Sequence, residues 1–217
     1  MTANPIVHII DDDASLRLSL CSLFRSVGLD AMAYESVRCF LDTTRPDAPG
    51  CLLLDVRMPG IGGLEFQAQL QGLGICLPVI IMTGHGDIPM SVRAMKAGAL
   101  DFLPKPCRDQ DLLDAVSAAI EQNRSSRVER DAAEHLHSLY ETLSPRERQV
   151  MALVTAGRLN KQVAGDLGLS EITVKIHRGA AMRKMGARTL ADLVRMAEAL
   201  KLVGPTGSAR YTDDRHV

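Results

Sequence analysis

Two rhythms of apolar residues run through the first half of the chain. Short unbroken apolar runs occupy residues 6–10, 51–55 and 78–82, with a shorter run at 101–103 and a weaker one at 31–34. Continuous rather than alternating hydrophobicity suits strands buried on both faces of a parallel sheet. Between the runs lie helix-like patterns at 14–26, 37–43, 64–71, 89–97 and 110–123. Five strand–helix units in succession predict a doubly wound, flavodoxin-like α/β domain over residues 1–122.

Past that point the pattern changes. Residues 123–141 are polar, charged and rich in Arg, Glu and His, which predicts a helical linker. From Leu143 the spacing is purely helical, punctuated by Gly157, Gly168 and Gly186. Four short helices fit, at 145–156, 161–167, 171–185 and 190–201, giving an all-α domain over 142–203. Ser144-Pro145-Arg146-Glu147 is a helix start: a hydroxyl to cap, a proline for the first turn, and a glutamate three residues after the cap. Residues 204–217 are polar and read as a disordered tail.

Net charge over the whole chain is −1, but its halves differ. Residues 1–122 carry 9 Lys+Arg against 15 Asp+Glu; residues 123–217 carry 16 against 11. An acidic half and a basic half imply different partners. The five cysteines form no Cys-x-x-Cys pair, and most sit inside apolar patterns, which favours a reducing compartment. No apolar run reaches the roughly 18 residues of a membrane span. These features predict a soluble cytoplasmic protein with no membrane partner.

Chemistry collects at the predicted strand ends. The first run leads into Asp11, Asp12 and Asp13, the second into Asp55, the third into Thr83, and the last into Pro104 and Lys105. In a parallel sheet these ends face one way, and ligands bind beyond them. Clustered carboxylates repel one another, so a hard divalent cation such as Mg2+ belongs among them. With that charge and Lys105 offsetting repulsion, one carboxylate can attack a phosphoryl group, Thr83 can donate to it, and Lys105 can pair with it. Asp13 reads as the N-cap of the following helix and Asp87 as another cap; His85 reads as an exposed loop histidine.

These residues resemble the receiver domain of two-component response regulators over roughly residues 5–122. The matching pieces are Asp11-Asp12-Asp13, Leu54-Asp55-Val56-Arg57-Met58-Pro59-Gly60, Met82-Thr83-Gly84-His85-Gly86-Asp87 and Leu103-Pro104-Lys105-Pro106. The resemblance implies that Asp55 is the phosphoacceptor. It makes Asp11 and Asp12, Asp12 the more direct, metal ligands together with Asp55 and the backbone carbonyl of Arg57. Thr83 and Lys105 take the places of the switch hydroxyl and the phosphate-pairing lysine. Phe102 takes that of the aromatic switch, and the Lys105–Pro106 bond that of the family's cis peptide. Cys107 departs from the bulky apolar residue usual there.

In the basic half, a short helix from Lys161 leads into a tight turn, Gly168-Leu169-Ser170, and a second helix capped by Ser170. This is a helix-turn-helix, whose second helix enters the major groove. Helical spacing puts Val174, Ala181 and Met185 on an inner side. Ile172, Lys175, Ile176, Gly179 and Arg183 fall on the opposite side, toward DNA. Lys175 can reach a guanine edge or a phosphate, and Ile176 a thymine methyl. Thr173 adds to base readout. Lys161, Arg178, Arg183 and Lys184 are candidate phosphate contacts. Residues 142–202 hold 11 Lys+Arg against 5 Asp+Glu, as phosphate binding requires.

This half resembles the LuxR-type helix-turn-helix domain over roughly 140–202. The carrying residues are Leu143-Ser144-Pro145-Arg146-Glu147-Arg148, Asn160-Lys161-Gln162-Val163-Ala164 and Thr173-Val174-Lys175-Ile176-His177-Arg178. Gly179-Ala180-Ala181 replaces larger residues common there. The whole layout resembles the FixJ/NarL class, and the loop from Thr83 to Asp87 favours its FixJ side.

The combined expectation is a transcription regulator, not an enzyme. A sensor histidine kinase supplies the phosphoryl group, and phosphorylation promotes a homodimer that binds double-stranded DNA. Two rival readings compete with it. A haloacid dehalogenase-type phosphatase also uses an aspartate nucleophile, but it carries a second Asp two residues later, where this chain has Arg57. A phosphorylation-independent DNA-binding protein would use the receiver as a dimerisation scaffold alone; the intact set of Asp11, Asp12, Asp55, Thr83 and Lys105 opposes it.

Overall fold

Each unbroken apolar run of the first half is a strand in the computed structural model, which describes residues 4–84 and 88–202. The expectations for His85, Asp87 and the 204–217 tail lie outside the described residues. Residues up to Val128 and from Glu129 onward form two compact units.

In the first unit the elements alternate: β1 (Ile6–Ile10), α1 (Ala14–Ser26), β2 (Asp30–Tyr34), α2 (Val37–Asp42), β3 (Gly50–Asp55), α3 (Gly63–Gln69), β4 (Val79–Thr83), α4 (Ile88–Lys96), β5 (Asp101–Pro104) and α5 (Asp109–Glu141). All strand pairs are parallel, in the order β2-β1-β3-β4-β5. This is the flavodoxin-like doubly wound order, with its reversal between β1 and β3. The central strands are buried along their whole length because alternate residues feed two cores. Val7, Ile9, Leu53 and Ile80 pack with α1 and α5, whereas Ile10, Leu52, Leu54 and Ile81 pack with α2, α3 and α4.

Two local features seat the ends of β1 and β3. Asp13 caps α1, its Oδ1 accepting from the Ser15 and Leu16 amides at 2.8 and 3.2 Å. Gly63, at the start of α3, lies so close to β3 that a Cβ there would meet the Asp55 carbonyl oxygen at 2.1 Å. Its amide also donates to the Val56 carbonyl at 3.0 Å.

α5 continues unbroken through the polar stretch read as a linker. At its receiver end, the buried Asn123 side chain accepts from the Gly50 amide at 3.1 Å and donates to the Cys76 carbonyl at 3.0 Å. Its last residues, Leu136, Leu139 and Tyr140, pack on a core of the second unit.

Among the described residues, the second unit is all helical: α6 (Pro145–Thr155), α7 (Asn160–Leu167), α8 (Glu171–Met185) and α9 (Leu190–Ala199). Ser144 and Glu147 form the expected reciprocal capping box at the start of α6. α7 ends on Gly168 in the left-handed conformation (φ 64°, ψ 38°), which a residue with a Cβ adopts only at a cost. Ser170 then caps α8. Among the described residues, no helix is long and apolar enough to cross a membrane.

Candidate functional site

The carboxyl ends of β1, β3, β4 and β5 meet in one acidic pocket. Asp11 follows β1 and is fully buried, Asp55 ends β3 and is 6% exposed, and Thr83 ends β4 and is 1% exposed. Asp12 lies beside them but faces solvent. Among the described residues, Asp11, Asp12 and Asp55 offer carboxylate oxygens that all lie within 4.8 Å of one another. Lys105, just past β5, reaches over the cluster. Its Nζ stands 2.5 Å from Asp11 Oδ2 and 3.2 Å from Asp55 Oδ1. The lysine is held by its own backbone: its amide donates to the Thr83 carbonyl at 2.7 Å, and its bond to Pro106 is cis, as the resemblance implied.

Further hydrogen bonds fix the Asp11 end of the pocket. The Asp13 amide donates to Asp11 Oδ1 at 2.9 Å, and the Arg17 guanidinium donates to the Asp11 carbonyl at 2.6 Å. Asp11 thus points one oxygen at a backbone amide and the other at Lys105. Burial pushes the Asp55 carboxyl above its ordinary range; Lys105 pulls it down, and the nearby Asp11 charge adds to the rise. Burial lowers the Lys105 ammonium, but hydrogen bonding and charge from Asp11 and Asp55 outweigh it, so it stands above its ordinary value. Three carboxylates and one ammonium leave two negative charges, all on hard oxygen donors, in reach of one another. That donor set fits a divalent cation of the Mg2+ type.

Arg57 lies in the loop after β3 with its side chain in solvent. Phe102, in β5, is half-buried and packs against the core that includes Tyr34 and Phe40. Cys107 is partly buried, and burial raises its thiol, which works against thiolate reactivity. Gly63 and Arg17 were not singled out from sequence. The Gly62-Gly63 pair after Asp55 was a usable signal for a close approach; nothing in the sequence marks Arg17.

The predicted inner residues of α8, Val174, Ala181 and Met185, are buried. On the opposite side Ile172 and Ile176 are 71% and 62% exposed, and Lys175 and Arg183 are exposed with them. Lys161, in the first turn of α7, is also exposed. Three candidate DNA contacts have partners inside the domain. The Thr173 hydroxyl shares a hydrogen bond with Ser170 Oγ at 2.8 Å in the cap. Arg178 donates to Asn160 Oδ1 at 3.2 Å. Lys184, also a candidate phosphate contact, donates to Glu147 Oε2 at 2.7 Å and to the Thr142 carbonyl at 3.1 Å. The physical reason is a waiting acceptor: Glu147 is 7% exposed, and its side chain faces the C-terminal turn of α8. The Lys184 hydrogen bond, followed by the Ser144 amide, holds the Glu147 carboxyl below the usual range.

Comparison with known proteins gives two family matches. The family "Response regulator receiver domain" matches residues 7–117, and "Bacterial regulatory proteins, luxR family" matches residues 141–197. Nodulation protein W of Bradyrhizobium diazoefficiens is 56% identical over 212 residues, covering 98% of this chain and 91% of the relative. Transcriptional regulatory protein FixJ of Azorhizobium caulinodans is 44% identical over 206 residues, covering 95% and 97%. Among solved structures, the response regulator StyR is 46% identical with a TM-score of 0.81, covering 90% of this chain and 99% of that one. This chain belongs to the response regulator family, with a receiver domain followed by a LuxR-family DNA-binding domain.

Proposed function

We propose that this chain is a cytoplasmic transcription regulator switched by phosphorylation of Asp55. The receiver comprises residues 1–122, the linker 123–141 and the DNA-binding domain 142–203. The observation that carries the reading is Lys105 Nζ held 3.2 Å from the buried Asp55 carboxylate, within a cluster of two further carboxylates. A sensor histidine kinase presents a phosphohistidine. An Asp55 oxygen attacks phosphorus, the P–N bond breaks, and the imidazole leaves with the electron pair.

Asp11, Asp12, Asp55 and the Arg57 carbonyl are the groups that would hold Mg2+. Once bound, it offsets charge on the phosphoryl oxygens. Lys105 is placed to pair with the new phosphoryl group, at the expense of its contact with Asp11. Thr83 donates its hydroxyl to the same group, and Phe102 turns inward as Thr83 moves. Support for a dimer that follows phosphorylation comes from α4, where Ile88, Val92 and Met95 are 80%, 45% and 47% exposed and share one side at helical spacing. Two linked DNA-binding domains then gain effective concentration on a two-half-site operator. Lys161, Lys175, Ile176 and Arg183 contact the duplex, with Thr173 and Arg178 at its margin.

The test is oligomeric state and DNA affinity with and without acetyl phosphate plus Mg2+, for the wild type and Asp55→Asn. A Mg2+-dependent gain in dimer and affinity that the variant lacks is expected. Equal behaviour of both proteins in every condition would refute the switch.

A further inference from the structure

The DNA-facing side of α8 is unusually poor in groups that can hydrogen-bond to a base. From its N-terminus to its last turn it presents Ile172, Lys175, Ile176, Gly179 and Arg183. Thr173 beside this stripe is tied into the helix cap, and Arg178 is tied to Asn160. Gly179 offers no side chain, and the nearest atom to a Cβ built there is Arg183 Nη1 at 3.7 Å. The Arg183 guanidinium therefore lies back along the helix over bare backbone. What remains at the centre of the stripe is one lysine between two isoleucines.

Those isoleucines are anomalous for a folded domain. The second unit buries Val150, Val154, Val163, Val174 and Leu193, yet leaves Ile172 and Ile176 71% and 62% exposed. Leu159, which precedes α7, is 70% exposed as well. Ile172 and Ile176 lie one turn apart on one side of α8, and contiguous exposed apolar side chains mark a surface that meets a partner. Its surroundings say which: Lys175 and Arg183 are exposed on the same side of the helix, and residues 142–202 carry 11 basic against 5 acidic residues. A polyanion with an apolar feature in its groove fits both properties. The thymine C5-methyl is the one apolar group that base pairs display in the major groove.

We infer that α8 selects its operator chiefly through thymine methyl groups, read by Ile176 and Ile172, with Lys175 as the single central polar reader. This rests on the DNA-binding reading of the domain. The two isoleucines are one turn apart, about 6 Å along the helix axis. That corresponds to roughly two base-pair steps of 3.4 Å, so each half-site carries two thymines on neighbouring or next-neighbouring base pairs. Gly179 adds no side chain of its own between the helix and the groove.

The experiment uses the full chain, activated with beryllofluoride and Mg2+. Duplexes are selected from a random pool, and the best is resynthesised with deoxyuridine in place of each thymine in turn. Deoxyuridine keeps every hydrogen bond and removes only the methyl. Two thymines per half-site are expected to be sensitive, each substitution weakening binding about fourfold, the equivalent of one buried methylene. Ile176→Ala is expected to bind the thymine duplex as weakly as the wild type binds the deoxyuridine duplex, and to lose no more on deoxyuridine. Ile176→Val is expected to recover part of the loss. Both residues are exposed, so neither change disturbs the core, and helicity by circular dichroism checks this. Selected sites without invariant thymines, or equal affinity for thymine and deoxyuridine duplexes, would overturn methyl readout while leaving DNA binding in place. Unchanged DNA affinity in Ile176→Ala would overturn it too, and would assign the patch to a protein contact. Enrichment of no duplex at all would overturn the DNA-binding reading itself.

Discussion

His8 gives the receiver a pH limit whose size follows from the structure. It occupies the middle of β1, is 3% exposed, stacks on Tyr34 and meets Phe40 edge-on, at ring-centroid distances of 6.0 and 5.8 Å. Its Nδ1 lies 3.0 Å from the Tyr34 hydroxyl. Burial, and then the Arg45 charge, lower its pKa from 6.5 to about 4. The unfolded chain therefore takes up a proton near pH 6.5 that the folded chain refuses until about pH 4, so stability falls as pH drops through that window. The full gap amounts to about 3 kcal/mol at roughly 1.4 kcal/mol per pH unit. At pH 5.0 about 2 kcal/mol of it has been lost, and at pH 7.5 almost none. A fragment of residues 1–128 is unfolded in urea at both pH values and followed by circular dichroism. His8→Gln, which keeps a hydrogen-bonding side chain but cannot titrate, is the reference. With a slope of roughly 2 kcal/mol per molar urea, the wild-type midpoint should fall by about 1 M more than that of the variant. Equal falls in both proteins would show that His8 accepts its proton without penalty inside the fold, and the reasoning from burial would be wrong.

Three further outcomes follow from single contacts. Lys184→Met should leave the salt dependence of DNA binding unchanged while lowering the stability of the second unit by about 1 kcal/mol, because it strips a partner from Glu147; a slope of log K against log salt reduced by about one would restore Lys184 to the phosphates. Asn123→Ala leaves the Gly50 amide and the Cys76 carbonyl without their bonds and should cost about 2 kcal/mol in urea unfolding; a neutral effect would mean that water replaces the amide. Gly63→Ala forces a methyl against the Asp55 carbonyl, so α3 must retreat, with a loss of about 1–3 kcal/mol and slower phosphorylation by acetyl phosphate; an unaltered rate would show that the loop after Asp55 can shift freely.

The sheet was legible because its strands are buried on both faces, so their apolar runs are unbroken and their order follows from the alternation with helices. The pocket was legible for the same reason: Asp11, Asp55, Thr83 and Lys105 each terminate or follow such a run, and parallel strands bring those ends together. Apart from the end of α5, boundaries moved by at most two residues, mainly where a cap rather than a pattern decides them. β3 begins at Gly50, whose amide is held by Asn123 from another element. α5 ran on to Glu141 because nothing in its polar middle breaks a helix, while each end is anchored by packing. The tight approach at Gly63 and the Arg17 contact to Asp11 depend on neighbours far apart in sequence, which spacing alone does not reveal. His8 belongs with them: a lone histidine inside an apolar run shows its burial but not the Tyr34 and Arg45 that set its charge.

The two functional regions dispose of charge in opposite ways, and this explains where a reading of residue types succeeds. In the receiver pocket Lys105 pairs with the buried Asp11 and Asp55, and strand position alone brings those residues together. On α8 the charges proposed to meet DNA are those that folding leaves unmatched. Lys175 and Arg183 stay in solvent, whereas Arg178 and Lys184, equally basic and on the same helix, bond to Asn160 and Glu147. Helical periodicity separates inner from outer sides but cannot say whether an acceptor waits at the helix margin. On this reading, counting basic residues overstates the number of phosphate contacts. If Lys184 is a strut and Arg178 is held by Asn160, the salt dependence of this domain should reflect fewer neutralised phosphates than its +6 balance suggests. A larger share of its selectivity then falls on the uncharged side chains between them.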